Sequence, residues 1–185
     1  NLTSIALPIT HSIPRINDGI TGYDGVGSIL KHLFSNVPGW GYTGLNPPCE
    51  DPDNGWEKYG VLGNFTQAPF IETTKPDQWT GMQENGWYFV PHNCSKEGAQ
   101  CNLHVAIHGC DGGSREVYIE YEGQYWGKYA ATNDFVLLMP MVSHCWDTIG
   151  ETGDNWDNRN GLQPKAIMNM VDRLIEPRKN SNLFI

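Results

Sequence analysis

The run Leu103-His104-Val105-Ala106-Ile107-His108-Gly109-Cys110 constrains this chain more than any other stretch. Its first half suits a short strand, and that strand must stop at a His-Gly-Cys turn, because Asp111-Gly112-Gly113 follows. Downstream, Phe135-Val136-Leu137-Leu138-Met139 is apolar at every position, the pattern of a parallel strand buried on both faces. Between the two, a helix from Ser114 onward would set Val117, Tyr121, Tyr125 and Tyr129 on one face, weakened by Gly123 and Gly127. A last helix carries the stripe Ala166, Ile167, Met170, Val171, Leu174 and Ile175, with Pro164 in its first turn and Pro177 to stop it. Strand, helix, strand, helix in this order predicts an α/β sheet with right-handed crossovers.

The earlier part of the chain is less regular. Residues 4–9 read as an extended entry, followed by a loop that holds His11. Asp24 is placed to cap a helix from Gly25 to Phe34, whose Val26, Ile29, Leu30, Leu33 and Phe34 keep helical spacing. Residues 36–87 are rich in Gly, Pro, Asn and Asp and read as a covering loop, with room for one strand within 61–72. A better strand runs over residues 87–90, before Pro91. The long segment 140–162 carries His144-Cys145-Trp146-Asp147.

At 185 residues the chain is of single-domain length, and a formal charge of -9 without a Lys/Arg run argues against nucleic acid. Its longest apolar run is too short to cross a bilayer, and the N-terminus shows no basic-then-apolar leader. The sequons at Asn1, Asn64 and Asn93 fit a secreted glycoprotein. So do the cysteines. Cys94 and Cys101 lie close together between two strands and suit a local disulfide; Cys110 and Cys145 can bridge if their strands are neighbours. Cys49 is then left over, as a thiol or for a bond to another chain.

Ligands of open parallel sheets gather beyond the carboxyl ends of the strands, where both informative loops leave. Three readings of that edge stay open. The Cys110 backbone N–H is one donor of an oxyanion hole; or His108, Cys110, His144 and Cys145 hold zinc, although their intervals match no zinc module; or the turn is purely structural, Gly109 turning the chain and His108 satisfying backbone groups. His11 taken alone reads as a solvated or satisfied loop histidine, His104, alternating to the opposite face from Leu103 and Val105, as structural, and Trp146 as either core or substrate platform. No G-x-S-x-G elbow occurs anywhere, so a serine nucleophile is absent from these residues.

Several motifs in order resolve this choice. The run from Cys94 through residues 101–110, then Trp126-Gly127-Lys128-Tyr129-Ala130 with Thr132-Asn133-Asp134, then Cys145-Trp146-Asp147, then Gly161-Leu162-Gln163, resembles the C-terminal part of extracellular poly(3-hydroxybutyrate) depolymerases of the circularly permuted kind. Upstream, His11-Ser12-Ile13-Pro14 and Gly22-Tyr23-Asp24-Gly25-Val26-Gly27 resemble the segment with that family's catalytic histidine. The likeness is collinear over residues 9–35 and 85–176. It departs from the family at Thr148, where a second Trp is usual, at Arg15, and at Thr21, where a Cys is common.

The resemblance implies an α/β-hydrolase fold, three-layered with a mostly parallel sheet and circularly permuted, of which residues 1–185 would form the C-terminal portion of one domain. It implies a Ser-His-Asp triad with His11 as general base, Cys110 N–H as an oxyanion donor and Trp146 as a wall of the substrate crevice. The Ser and Asp would come from an N-terminal fragment or chain, for which Cys49 offers a link. No cofactor and no metal are expected, the substrate is an ester, and a catalytically inactive hydrolase-fold subunit is the alternative.

Overall fold

The computed structural model describes residues 24–34, 45–49, 58–110 and 124–175. Helix α1 spans Gly25–Phe34, and Asp24 caps it as expected: its Oδ1 accepts the Gly27 N–H at 2.8 Å. Strand β1, Gly60–Thr66, runs into a single 3-10 turn, Ala68–Phe70, and then into irregular chain as far as β2, Asn85–Pro91. Strand β3, Asn102–Val105, is followed by helix α2, Gln124–Asn133, strand β4, Phe135–Met139, and helix α3, Leu162–Ile175. Asp134, at φ 52°, makes the left-handed step that ends α2 and starts β4. The expected start of α2 near Ser114, the stop at Pro177 and the entry segment with His11 lie outside the described residues.

The four described strands form one sheet in the order β1-β2-β4-β3. β3 and β4 pair in parallel, with His104 opposite Leu137 and Val105 opposite Leu138. β1·β2 and β2·β4 are antiparallel, so the described part of the sheet is mixed and less parallel than expected. The reason lies in the connections. β1 and β2 are joined without a crossover helix and return beside each other, whereas α2 supplies the crossover that parallel β3 and β4 require.

Alternation along β4 makes three layers. Phe135, Leu137 and Met139 face α1 and α2, joining Leu30, Phe34, Phe89, Trp126, Tyr129 and Ala130. Leu138 and Val136 face the other way, onto Ala166, Ile167, Met170 and Val171 of α3. Each fully buried side chain of this size is worth about 1.5–3 kcal/mol relative to exposure, so β4 contributes to both halves of the core. His104 projects on the α1/α2 side, 1% exposed and stacked on Trp126 at 4.4 Å between ring centroids. That is the structural role read from its alternation. α1 is tied to α2 by the Tyr129 hydroxyl, which donates to Asp24 Oδ2.

Two glutamines stitch the irregular segments to this frame. Gln67 is wholly buried; its Nε2 donates to the carbonyls of Gln83 and Met141, each at 2.8 Å, and its Oε1 accepts the Met141 N–H at 2.9 Å. Gln163, in the first turn of α3, accepts the Asp147 N–H at 2.7 Å and donates to Thr80 O at 3.0 Å. A buried amide that uses both ends in this way costs little to desolvate and fixes two loops at once.

Candidate active-site edge

The carboxyl ends of β3 and β4 are neighbours, so the turn after one and the loop after the other meet. Cys110 and Cys145 are joined across that gap, with Cα atoms 4.2 Å apart. The second disulfide, Cys94–Cys101, closes the loop between β2 and β3. Both pairings agree with the sequence reading. With its thiols oxidised, the set His108, Cys110, His144 and Cys145 loses two of its four ligands, and no metal-sized group of His, Cys, Asp and Glu forms among the described residues.

His108 is buried beneath this turn. Its Nδ1–H donates to Gly109 O at 2.7 Å, which leaves Nε2 to accept the Val142 N–H at 3.1 Å. The ring is thereby the neutral Nδ1–H tautomer, and burial pulls its pKa below the ordinary histidine value against the two backbone bonds. His108 does satisfy backbone groups, as one reading held, and those groups belong to the ends of two adjacent strands. Trp146, half-buried, donates its indole Nε1–H to His108 O at 3.0 Å and lies 5.7 Å from the His108 ring, centroid to centroid. One disulfide, one imidazole and one indole therefore hold the same few atoms.

Gly109 and Cys110 are exposed. The Cys110 N–H has no acceptor among the described residues. Gly109 takes no left-handed φ, and a Cβ built on it meets nothing within 4 Å among the described residues. Gly109 can turn the chain here without a left-handed backbone.

Beyond Trp146 the loop is organised by a residue that sequence reading passed over. Asp147, 9% exposed, accepts the N–H groups of Ile149 (3.1 Å), Gly150 (2.7 Å) and Glu151 (3.0 Å) on Oδ1, and the N–H (2.7 Å) and hydroxyl (2.6 Å) of Thr152 on Oδ2. Burial pushes its pKa up, but the bonds from Thr152, Ile149 and Gly150 outweigh this and hold it at about 2. The carboxylate is an ionised clamp at neutral pH. The spacing Asp147…Gly150…Thr152 is the signal that would have shown it.

The other expected site residues fall elsewhere. His11 and Asn1 lie outside the described residues. Asn64 is exposed on β1. Asn93 is also exposed, with its Nδ2 on the Asp134 carboxylate at 3.1 Å and its Oδ1 taking Lys96 Nζ at 2.6 Å. Cys49 is buried, 7% exposed, within the α1/α2 side of the core.

Comparison with known proteins agrees with the motifs. The chain is 31% identical over 174 residues to a poly(3-hydroxybutyrate) depolymerase of Delftia acidovorans, a match covering 89% of this chain and 31% of that protein. It is 29% identical over 176 residues to a polyhydroxybutyrate depolymerase of Talaromyces funiculosus, covering 83% and 45% respectively. The chain is a homologue of the poly(3-hydroxybutyrate) depolymerases. The crystal structure of the depolymerase from Penicillium funiculosum superposes with a TM-score of 0.61 at 27% identity, over 81% of this chain and 47% of that one. A depolymerase with a serine replaced by alanine, complexed with an R3HB trimer, gives 0.60 at 27% identity, over 82% and 48%. No family model matches. The likeness to these depolymerases places the described sheet and helices in part of an α/β-hydrolase fold, and the chain spans less than half the length of the relatives it matches.

Proposed function

We propose that this chain is the histidine- and oxyanion-bearing part of a secreted, circularly permuted serine esterase whose substrate is a hydroxyalkanoate ester of the R3HB type. The observation that carries the proposal is Cys110, an exposed residue beyond the carboxyl end of β3 whose N–H takes no acceptor among the described residues and which is fixed by the Cys110–Cys145 bond and the Trp146–His108 contact. A serine supplied from outside residues 1–185 attacks the ester carbonyl carbon, and His11 takes the hydroxyl proton. The negative charge that develops on the carbonyl oxygen is met by the Cys110 N–H, a contact whose loss is typically worth about 3–4 kcal/mol of barrier. His11 returns its proton to the departing alcohol, and water then releases the acyl group by the same steps. An Asp, also from outside, orients His11, and Trp146 forms one wall of the crevice. Two disulfides, exposed sequons at Asn64 and Asn93 and the sequon at Asn1 support secretion.

The test uses the whole protein, with any polypeptide that accompanies this chain. Replacing His11 with Ala should lower hydrolysis of the R3HB trimer and of short acyl esters by several orders of magnitude while the fold is retained. Equal hydrolysis with and without His11 would refute the reading. A whole protein that binds the trimer but never cleaves it, with or without His11, would instead mark a catalytically inactive hydrolase-fold subunit.

A further inference from the structure

Asn64-Phe65-Thr66 and Asn93-Cys94-Ser95 are both acceptor triplets for N-linked sugar, and both asparagines are exposed, so exposure does not tell them apart. Their local structure does. Asn64 and Thr66 lie in β1, where residues two apart share a face. Both are exposed, on the side opposite to buried Phe65, and neither side chain is hydrogen-bonded among the described residues. The amide and the hydroxyl that a transferring enzyme must engage together therefore stand side by side in the folded chain.

At Asn93 the same two groups are already taken. Its Nδ2 lies 3.1 and 3.3 Å from the two carboxylate oxygens of Asp134, and the Ser95 hydroxyl donates to His92 O at 2.9 Å. The backbone is curled as well, with the N–H groups of Cys94 and Ser95 both donating to Pro91 O, at 2.8 and 3.2 Å. The middle residue of the triplet is Cys94, 8% exposed and bonded to Cys101 at a separation of 7 residues. The loop cannot be drawn out straight while that bond stands.

We propose that Asn64 carries an N-linked glycan and that Asn93 is withheld from one by the Cys94–Cys101 disulfide and the Asp134 carboxylate. The donor is an oligosaccharide joined through pyrophosphate to a lipid. The Asn64 amide nitrogen bonds to the anomeric carbon of the first sugar as that carbon's bond to the pyrophosphate oxygen breaks. The lipid pyrophosphate leaves, and the nitrogen gives up one proton. Asn93 serves the fold instead, tying the loop between β2 and β3 to Asp134 at the left-handed step between α2 and β4. A loop as short as the one between Cys94 and Cys101 costs little entropy to close, so it is among the first in the chain that can shut. The inference rests on the secretion included in the proposed function and is independent of the ester chemistry.

The test expresses the whole protein from its full coding sequence in a eukaryotic host and recovers it from both medium and cells. Treatment with peptide-N-glycosidase in heavy-oxygen water leaves a labelled Asp wherever a sugar stood, and peptide mapping reads each site. Label should appear at Asn64 at least about tenfold more often than at Asn93, the factor by which a hydrogen bond to a charged partner favours the bound amide. In a variant combining Cys94→Ser with Cys101→Ser, which keeps an acceptor triplet at Asn93, labelling of Asn93 should rise to the level of Asn64. Reading the cell-retained fraction makes this outcome independent of whether the variant folds. Asn93 labelled as fully as Asn64 in the parent, or still bare in the variant, overturns the withholding. Secreted protein with a bare Asn64 overturns the glycan and leaves the esterase reading standing. Protein that stays in the cells without label overturns both this inference and the assignment to secretion.

Discussion

Replacing Asp147 with Asn probes the link between the loop's electrostatics and its shape. The carboxylate accepts five hydrogen bonds through two oxygens. An amide can turn its oxygen toward Ile149, Gly150 and Glu151, but its NH2 then confronts the Thr152 N–H and hydroxyl. The hydroxyl can rotate and accept; the N–H cannot. With one donor orphaned and four bonds demoted from charged to neutral, the substitution should cost about 2–4 kcal/mol at neutral pH. The charge-dependent share follows from the shift of the carboxyl from 3.8 to about 2, equivalent to about 2 kcal/mol. Because the folded-state value is the lower one, that share is complete above pH 4 and is lost as the pH falls through 2. Urea unfolding of parent and variant at pH 7, 4, 3 and 2 should therefore show a stability gap that narrows by about 2 kcal/mol toward the acid end. A gap that is the same at every pH, or a variant as stable as the parent at pH 7, would refute the reasoning. Trp146 precedes Asp147 directly, so its fluorescence should report the loosened loop before global unfolding.

Three further outcomes are expected. Gly27→Ala should destabilise by about 2–4 kcal/mol in thermal unfolding, because its Cβ would collide with Asp24 Oδ2 and the Tyr129 hydroxyl and break the cap of α1. His104, buried and held neutral with a pKa lowered to about 4, should make the fold progressively less stable as the pH falls from 6.5 toward 4; His104→Leu should flatten that slope in a pH series of chemical denaturation. Replacing both Cys110 and Cys145 with Ser, at a separation of 35 residues, should lower stability by about 3–4 kcal/mol on the chain-entropy account and reduce ester hydrolysis in the whole protein, measured as separate Tm and rate changes.

Much of the frame was legible because its signals are local. β4 announced itself by five apolar residues in a row, α3 by its stripe, and α1 by Asp24 standing before an amphipathic run. The disulfide Cys110–Cys145 followed once β3 and β4 were taken as neighbours. What escaped depends on contacts far apart in sequence. Gln67 and Gln163 look like ordinary surface amides, and only the fold shows that one meets Met141 and the other Asp147 and Thr80. The antiparallel partners of β2 were equally hidden, since β1 contains Gly60, Gly63 and Asn64 and alternates poorly.

The three tethers on the turn after β3 all connect it to the segment after β4, and each does so by a different chemistry. The disulfide fixes Cys110 to Cys145, His108 Nε2 receives Val142, and Trp146 reaches back to His108 O. Redundant fixing is what a backbone donor requires if it is to meet a developing charge without reorganising at the moment of reaction. It also means that the tethers share their load. Removing any one leaves two, so the single losses should sum to less than the loss on removing them together, and the coupling between Trp146 and the disulfide is where a double-mutant cycle would reveal it. The core beneath stabilises β4 from both faces. The turn above is held in position by the three tethers.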